Sequence, residues 1–175
     1  MSILWGKVEP PQFFAAVLKL AVHTARADQA ALWLRTGPSH WTSVSLAVTS
    51  TDGQPTQTTA TELPAFVTEA LASHEPDLQR ATVEGTALQR LTTPVRQAGQ
   101  ATGALVLQFE DDTLPSPPAT LVPFAAAVAE IAGDYLVQHE LRGLRRERSE
   151  RAQRDQWLAA IARAPGCSRR SAARL

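Results

Sequence analysis

The side chains that could carry chemistry are few in this chain, and their spacing does not build a catalytic centre. No two histidines stand at the close spacing that puts a pair of metal ligands on one helix face; the four are His23, His40, His74 and His139. The single cysteine, Cys167, excludes a disulfide framework and a multi-cysteine zinc site. No nucleophile elbow, phosphate loop, HExxH or GxGxxG motif is present. The sequence therefore predicts a protein that is not an enzyme, with no catalytic residue, no metal site and no cofactor.

Two polar runs are the remaining candidates for chemistry. Glu110, Asp111 and Asp112 follow an apolar run and favour a solvated loop, with a cation site as the alternative, because calcium loops space their oxygen donors more widely. Residues 74–77, His-Glu-Pro-Asp, follow a helical pattern, and helix-end chemistry explains them as well as any metal would. What these residues do depends on the helices and strands that position them.

The apolar periodicity predicts the order helix, strands, helix, strands, long helix. A first helix follows Pro10 and Pro11, with apolar residues at offsets of 0, 3, 4, 7 and 8 from Phe14, and a second helix repeats that spacing from Leu63. Strands are predicted at 30–35, 40–50, 78–83, 91–96 and 103–110, a loop at 50–60, and a long helix at about 119–164. Strand groups linked by hairpins, without regular strand–helix alternation, predict an α+β fold with a central antiparallel sheet of about five to six strands.

Length, composition and charge indicate one globular domain with a helical appendage. The chain has 175 residues, and 44% of them are hydrophobic, which is enough for one domain with a core. Residues 1–132 carry 7 positive and 12 negative side chains, net −5, whereas residues 133–175 carry 10 and 5, net +5. The first residues lack the layout of a signal peptide, and no run approaches the roughly 18 apolar residues of a membrane span. We therefore expect a soluble cytoplasmic protein.

The C-terminal helical segment has the spacing of a weak coiled coil with a polar middle. Its 4-3-4-3 seam consists of Val137, Leu141, Leu144, Arg148, Arg151, Asp155, Leu158 and Ala162. Glu147–Arg151 and Glu150–Arg154 are expected to form i,i+4 ion pairs. Residues 142–154 hold six Arg and two Glu with no aromatic residue among the arginines, which favours a solvated helix face over a nucleic-acid contact. The predicted division is a globular domain at 10–133, a coiled-coil helix at 134–164 and a disordered basic tail at 165–175.

The most distinctive stretch is a hairpin, in which Pro94-Val95 is followed by a polar turn around Gly99 and then by Gly103-Ala104-Leu105-Val106-Leu107. Together with the strand at 30–35 and a long helix after the hairpin, it resembles the GAF family of sensory domains over about residues 11–136. The resemblance implies a sheet with the terminal helices on one face and a small-molecule pocket on the other, a homodimer through those helices, and signal transfer along the C-terminal helix. Because Cys167 lies outside this region, cysteine-linked bilins and the cysteine-dependent methionine sulfoxide reductases of this fold are excluded. The residue set of cyclic-nucleotide-binding members is absent.

Strand alternation then nominates the residues that would line such a pocket. The leucines expected to face the terminal helices are Leu32, Leu34, Leu105 and Leu107. The candidate ligand-binding residues on the opposite side are Trp33, Thr92, Val106, Gln108 and, from the covering helix, Phe66. The alternative is that these residues pack a second small core.

The function predicted from these features is a non-enzymatic, small-molecule-sensing or regulatory GAF-like domain that dimerises and couples to its C-terminal helix. The alternative is a structural or interaction fragment of a larger signalling or coiled-coil adaptor protein, with an empty pocket. The two differ in whether a small molecule occupies the pocket.

Overall fold

A computed structural model describes residues 10–37, 40–48, 54–83, 85–110 and 114–163 of the chain. The helices in these ranges are α1 (Pro10–Ala25), α2 (Ala65–Ser73) and α3 (Pro118–Arg163). The strands are β1 (Gln29–Gly37), β2 (His40–Ala47), β3 (Thr56–Ala60), β4 (Asp77–Val83), β5 (Thr86–Gln97) and β6 (Gln100–Phe109). The predicted order of helices and strands is confirmed.

The strands form one antiparallel sheet in the order β3-β2-β1-β6-β5-β4. The chain thus builds each half of the sheet from neighbouring segments, and β1 and β6 join the halves at the centre. Leu32 of β1 lies opposite Leu105 of β6 in this central pairing. The α+β fold class with a central antiparallel sheet is confirmed.

One face of the sheet carries the main core, where the terminal helices pack. The four leucines predicted to face these helices are buried, with at most 6% of each exposed. They share one cluster with apolar residues of α1 and of the first part of α3. Across the two helices, the rings of Phe13 and Tyr135 stack with centroids 3.7 Å apart. The predicted placement of the terminal helices on one face is confirmed.

The β5–β6 hairpin closes through a two-residue turn. Ala98 and Gly99 have φ values of 49° and 84°, and positive φ at both central residues is what a type I′ turn requires. Glycine adopts this conformation freely, whereas alanine is strained in it. The pairing of β5 with β6 also shifts register between Val95 and Arg96.

The sheet differs from the sequence prediction chiefly in one strand that was predicted as a loop and in one strand that begins earlier. The predicted loop at 50–60 contains β3, a run of mostly Thr and Gln that pairs with β2 at the edge of the sheet. Because an edge strand with both faces open buries almost nothing, it leaves no apolar period in the sequence. The strand predicted at 91–96 begins earlier, at Thr86, because β5 pairs with β4 along its first half.

The division into compact units falls between Val137 and Gln138, inside the continuous helix α3. The part of α3 before this point belongs to the sheet domain. There Gly133 is buried, and a Cβ at this position would overlap the backbone carbonyl oxygen of Arg96. The domain limits drawn from the sequence stay a prediction, and residues 165–175 lie outside the described residues.

From Gln138 onward, most side chains of α3 are charged or polar, and several leucines are exposed among them. Leu141, Leu144 and Leu158 of the predicted seam are 48%, 50% and 59% exposed. The expected Glu147–Arg151 ion pair forms, with 3.6 Å between its charged atoms. The expected Glu150–Arg154 pair is wrong, because Glu150 instead accepts a hydrogen bond from Arg146 one turn earlier, at 3.1 Å.

Candidate functional site

The second face of the sheet is covered in part by α2, which encloses a small apolar cluster. Val67 of α2 packs there with Ala104 and Val106 of β6, and all three are buried. His74 ends the helix in the left-handed conformation, with its N–H donating to the carbonyl oxygen of Ala70. The polar run at 74–77 thus begins with a helix cap, in agreement with helix-end chemistry.

A cavity of about 170 Å³ lies on this face, and we call it the α2-face cavity. Its lining consists of Gln29, Ala31, Trp33, Ser43, Ser45, Phe66, Val106 and Gln108. The lining combines two aromatic rings, two amides and two hydroxyl groups. Four of the eight lining residues are polar, so the wall offers hydrogen-bonding groups beside apolar surface, as small-molecule sites do.

Four of the five residues predicted for a pocket line this cavity; they are Trp33, Phe66, Val106 and Gln108. The fifth, Thr92, lies on the same face directly opposite Val106 in the β5–β6 pairing. It is only 4% exposed and is not part of the lining, because the cavity lies toward β1 and β2. The ligand-binding role of these residues stays a prediction.

The sequence prediction missed the contribution of β2. Ser43 and Ser45 lie opposite Trp33 and Ala31 in the β1–β2 pairing, which places them on the cavity side. Their hydroxyl groups donate to backbone carbonyl oxygens of β3 at 3.4 and 3.5 Å. The sequence did contain a signal for this placement. Val44 and Leu46 belong to the main core, so the serines that alternate with them lie on the opposite face of the sheet.

Arg90, which the sequence prediction missed, is a buried charged residue that contacts the cavity residue Phe66. Its side chain is only 9% exposed, and its guanidinium carbon lies 3.8 Å from the centroid of the Phe66 ring, a cation–π contact. The Nε atom is buried and has no hydrogen-bond partner among the described residues. Burial lowers the pKa of Arg90 from its usual value, although the group stays charged near neutral pH.

Arg90 belongs to a row of polar residues that crosses the sheet. Gln79, Arg90, Gln108 and Gln29 lie side by side on β4, β5, β6 and β1. The Gln79 amide donates to the carboxylates of Asp77 at 2.6 Å and of Glu69 at 3.3 Å. At one end of the row, Gln79 binds the two carboxylates. Arg90 lies next to it, and the other end consists of the two glutamines that line the cavity.

A second hollow of about 440 Å³ lies between the β5–β6 hairpin, the end of α2 and the first part of α3. Its lining consists of His74, Pro76, Thr93, Pro94, Arg96, Ala98, Gly99, Ala126, Glu130 and Asp134. Its histidine, arginine and acidic side chains are exposed, so water competes for each of them. We therefore regard the smaller, better enclosed α2-face cavity as the candidate site.

Metal binding has no support in the part of the chain that the structure describes, because no three His, Asp or Glu side chains come together there. The acidic residues Asp111 and Asp112 and the cysteine Cys167 lie outside the described residues.

One helix, α3, passes a length and composition test for a membrane span, with an 18-residue window of mean hydropathy 1.4. The core helix of a soluble protein passes the same test, and 39% of this window is buried inside the protein.

Solved structures show which fold this is. The second GAF domain of DevS from Mycobacterium smegmatis matches with a TM-score of 0.58 at 15% identity, over 78% of this chain and 99% of that one. The GAF domain of a phosphoenolpyruvate-protein phosphotransferase from Acinetobacter matches with a TM-score of 0.60 at 12% identity, over 79% and 88%. A segment of a methyl-accepting chemotaxis protein matches with a TM-score of 0.59 at 10% identity, over 76% and 92%.

The sheet domain therefore has a GAF-type fold, as the sequence resemblance implied. Proteins that share this fold include sensory ones, such as a far-red cyanobacteriochrome photoreceptor. No protein-family model matches the sequence, and no curated protein matches it. At these identities the likeness establishes the fold, and function has to be argued from the site.

Proposed function

We propose that this protein is a non-enzymatic sensory or regulatory module that binds a small molecule in the α2-face cavity. The observation that carries the proposal is the two-sided sheet: one face packs the terminal helices, and the other holds a cavity with aromatic, amide and hydroxyl groups. GAF-fold neighbours in chemotaxis and photoreceptor proteins support a sensory role. A cytoplasmic location is part of the proposal.

The second part of the proposal is a homodimer through the helices. Leu141, Leu144 and Leu158 are about half exposed, which is unusual for leucines that follow a heptad spacing. A second copy of the same helix would cover them. Arginines in the middle of the seam weaken this interface, so its packing can respond to small changes in the sheet domain.

The coupling would use the continuity of α3. Its first part packs on β5 and the central sheet, and the same helix continues to Arg163. A ligand shifts the equilibrium between two arrangements of the protein only if it binds one of them more tightly. The size of the shift is set by that difference in affinity. Coiled-coil interfaces with two discrete packings convert such a bias into a signal.

Sedimentation of the full chain tests the dimer. The double substitution Leu141→Glu, Leu144→Glu places charges in the seam, and we expect it to convert a dimer into a monomer with an unchanged sheet domain. The control Gln153→Glu, Gln156→Glu adds the same charge at outward positions of the same helix and should stay dimeric. A monomeric wild-type protein, or equal effects of both variants, would contradict the dimer.

Native mass spectrometry of freshly purified protein tests the sensing role. A retained small molecule that is lost on substituting a cavity residue supports sensing. The interaction-fragment alternative is favoured by a further exposed apolar group on α3, where Trp157 is 72% and Ile161 63% exposed outside the heptad seam. An empty cavity in native spectra, together with a protein partner that is lost on Trp157→Ala, would favour that alternative.

A further inference from the structure

Arg90 is a buried cation that forms no ion pair with a described residue. Burying an ionised side chain is costly unless a counter-charge and hydrogen bonds compensate. The structure shows ion pairs of Arg146 and Arg151 on α3, and it shows none for Arg90 with a described residue. The nearby carboxylates of Asp77 and Glu69 accept hydrogen bonds from Gln79. Arg90 is thus 9% exposed, and its only partner among the described residues is the ring of Phe66.

The cation–π contact leaves the Nε donor of the guanidinium without a partner among the described residues. Phe66 covers one flat face of the group, whereas the N–H bonds of a guanidinium lie in its plane and point outward from its edge. The unpartnered Nε belongs to that edge. A planar fork of donors of this kind matches the two oxygens of a carboxylate.

The position of Arg90 connects it to the cavity. Arg90 is not itself part of the cavity lining, but it stacks on Phe66 and lies directly opposite Gln108, and both of these residues line the α2-face cavity. We propose that this cavity takes a small planar carboxylate, with its ring against the aromatic side chains and its anionic group beside Gln108, directed toward Arg90. This inference rests on the proposed sensing function and adds the chemical class of the ligand.

Size and lining narrow the class further. A volume of about 170 Å³ lies below the roughly 300–1,000 Å³ of sites for drug-sized molecules, so nucleotides are too large. Trp33 and Phe66 offer ring surfaces, and the amides of Gln29 and Gln108 can hydrogen-bond to polar groups on the ring edge. A single-ring aromatic or heteroaromatic acid fits this combination.

Titration of the full chain by ¹⁵N NMR tests the inference with pairs of probes of the same shape, in which a neutral amide replaces the carboxylate. The probes are benzoate with benzamide, nicotinate with nicotinamide, and inorganic phosphate as an anion without a ring. We expect each acid to bind at least about tenfold more tightly than its amide, the gain of one charge-assisted hydrogen bond or more. The shifts should centre on Trp33, Val106 and Gln108, and phosphate should bind more weakly than either acid.

Substitutions locate the source of the preference. Arg90→Met keeps the length of the side chain and removes its charge, so it should abolish the preference for acids, whereas Arg90→Lys should retain part of it. Arg80→Met, at an exposed position on the neighbouring strand, removes the same charge and should change nothing. If Arg90→Met does not fold, Gln108→Leu replaces it and should weaken the binding of both acids.

Where probes bind, three results would overturn the inference: acids that bind no better than amides, a preference that survives in Arg90→Met, or phosphate that binds as tightly as the ring acids. Binding of amides without preference would refute the carboxylate and leave the sensing proposal standing. If none of the five probes binds, the carboxylate inference fails, and native mass spectrometry then decides separately whether the cavity holds any other molecule.

Discussion

Replacing Gly133 by alanine is expected to disturb the docking of α3 on β5. A Cβ at this buried position would overlap the carbonyl oxygen of Arg96, which belongs to the strand backbone and cannot rotate away. To restore van der Waals contact, the helix must move back by roughly 1 Å. Alanine gains about 1 kcal/mol of helix propensity over glycine, whereas overpacking against a rigid backbone atom costs about 2–3 kcal/mol, the upper part of the usual range. The balance is a destabilisation of about 1–2 kcal/mol.

Gly143 provides a matched control in the same helix. It is exposed, and a Cβ there would meet nothing within 4 Å. Gly143→Ala should therefore keep the whole propensity gain of about 1 kcal/mol and raise helicity. Urea unfolding of both variants, followed by circular dichroism, shows directly whether their changes in stability have opposite signs. If Gly133→Ala unfolds at the same urea concentration as the wild-type protein, the close approach of α3 to β5 is wrong.

Two further predictions concern the ends of the central strands. Ala98→Asn should stabilise the protein by about 0.5–1 kcal/mol, because Asn tolerates the positive φ of a type I′ turn better than Ala; Ala98→Val should do the opposite in the same thermal unfolding assay. Asp28→Ala should destabilise by about 1 kcal/mol, because the Asp28 carboxylate accepts the backbone N–H of Glu110 at 2.8 Å. Denaturant unfolding that shows Asp28→Asn to be as costly as Asp28→Ala would contradict that assignment, since Asn keeps an acceptor oxygen.

The parts of the fold that were predictable from sequence are those with an apolar signal. In β1 and β6, residues alternate between the core and the cavity side, and Leu105 and Val106 could be assigned to opposite faces for that reason. The turn around Gly99 was equally predictable, because glycine readily adopts the positive φ that tight turns require. Terminal-helix packing followed from the helical spacing of large apolar residues.

The parts that were missed depend on tertiary structure. β3 is exposed and polar, and backbone pairing with β2 determines its position. This pairing leaves no alternation of apolar and polar side chains in the sequence. Arg90 is buried although arginine is ordinarily a surface residue, because the neighbouring strands and Phe66 of α2 enclose it. A rule based on residue type assigns arginine to solvent, so the burial of Arg90 could not be predicted from the sequence.

The central strands give the proposed coupling a physical route. Trp33 and Val106 line the cavity, and the residues beside them in sequence, Leu32 and Leu105, are buried under the terminal helices. A strand backbone joins each such pair rigidly, so a ligand that displaces one side chain also displaces the surface on which α1 and the first part of α3 pack. Because these cores are close-packed, a shift of this kind favours a change in helix packing over gradual deformation. Ligand binding and helix arrangement are therefore expected to be linked through β1 and β6, without any contact between the ligand and a terminal helix.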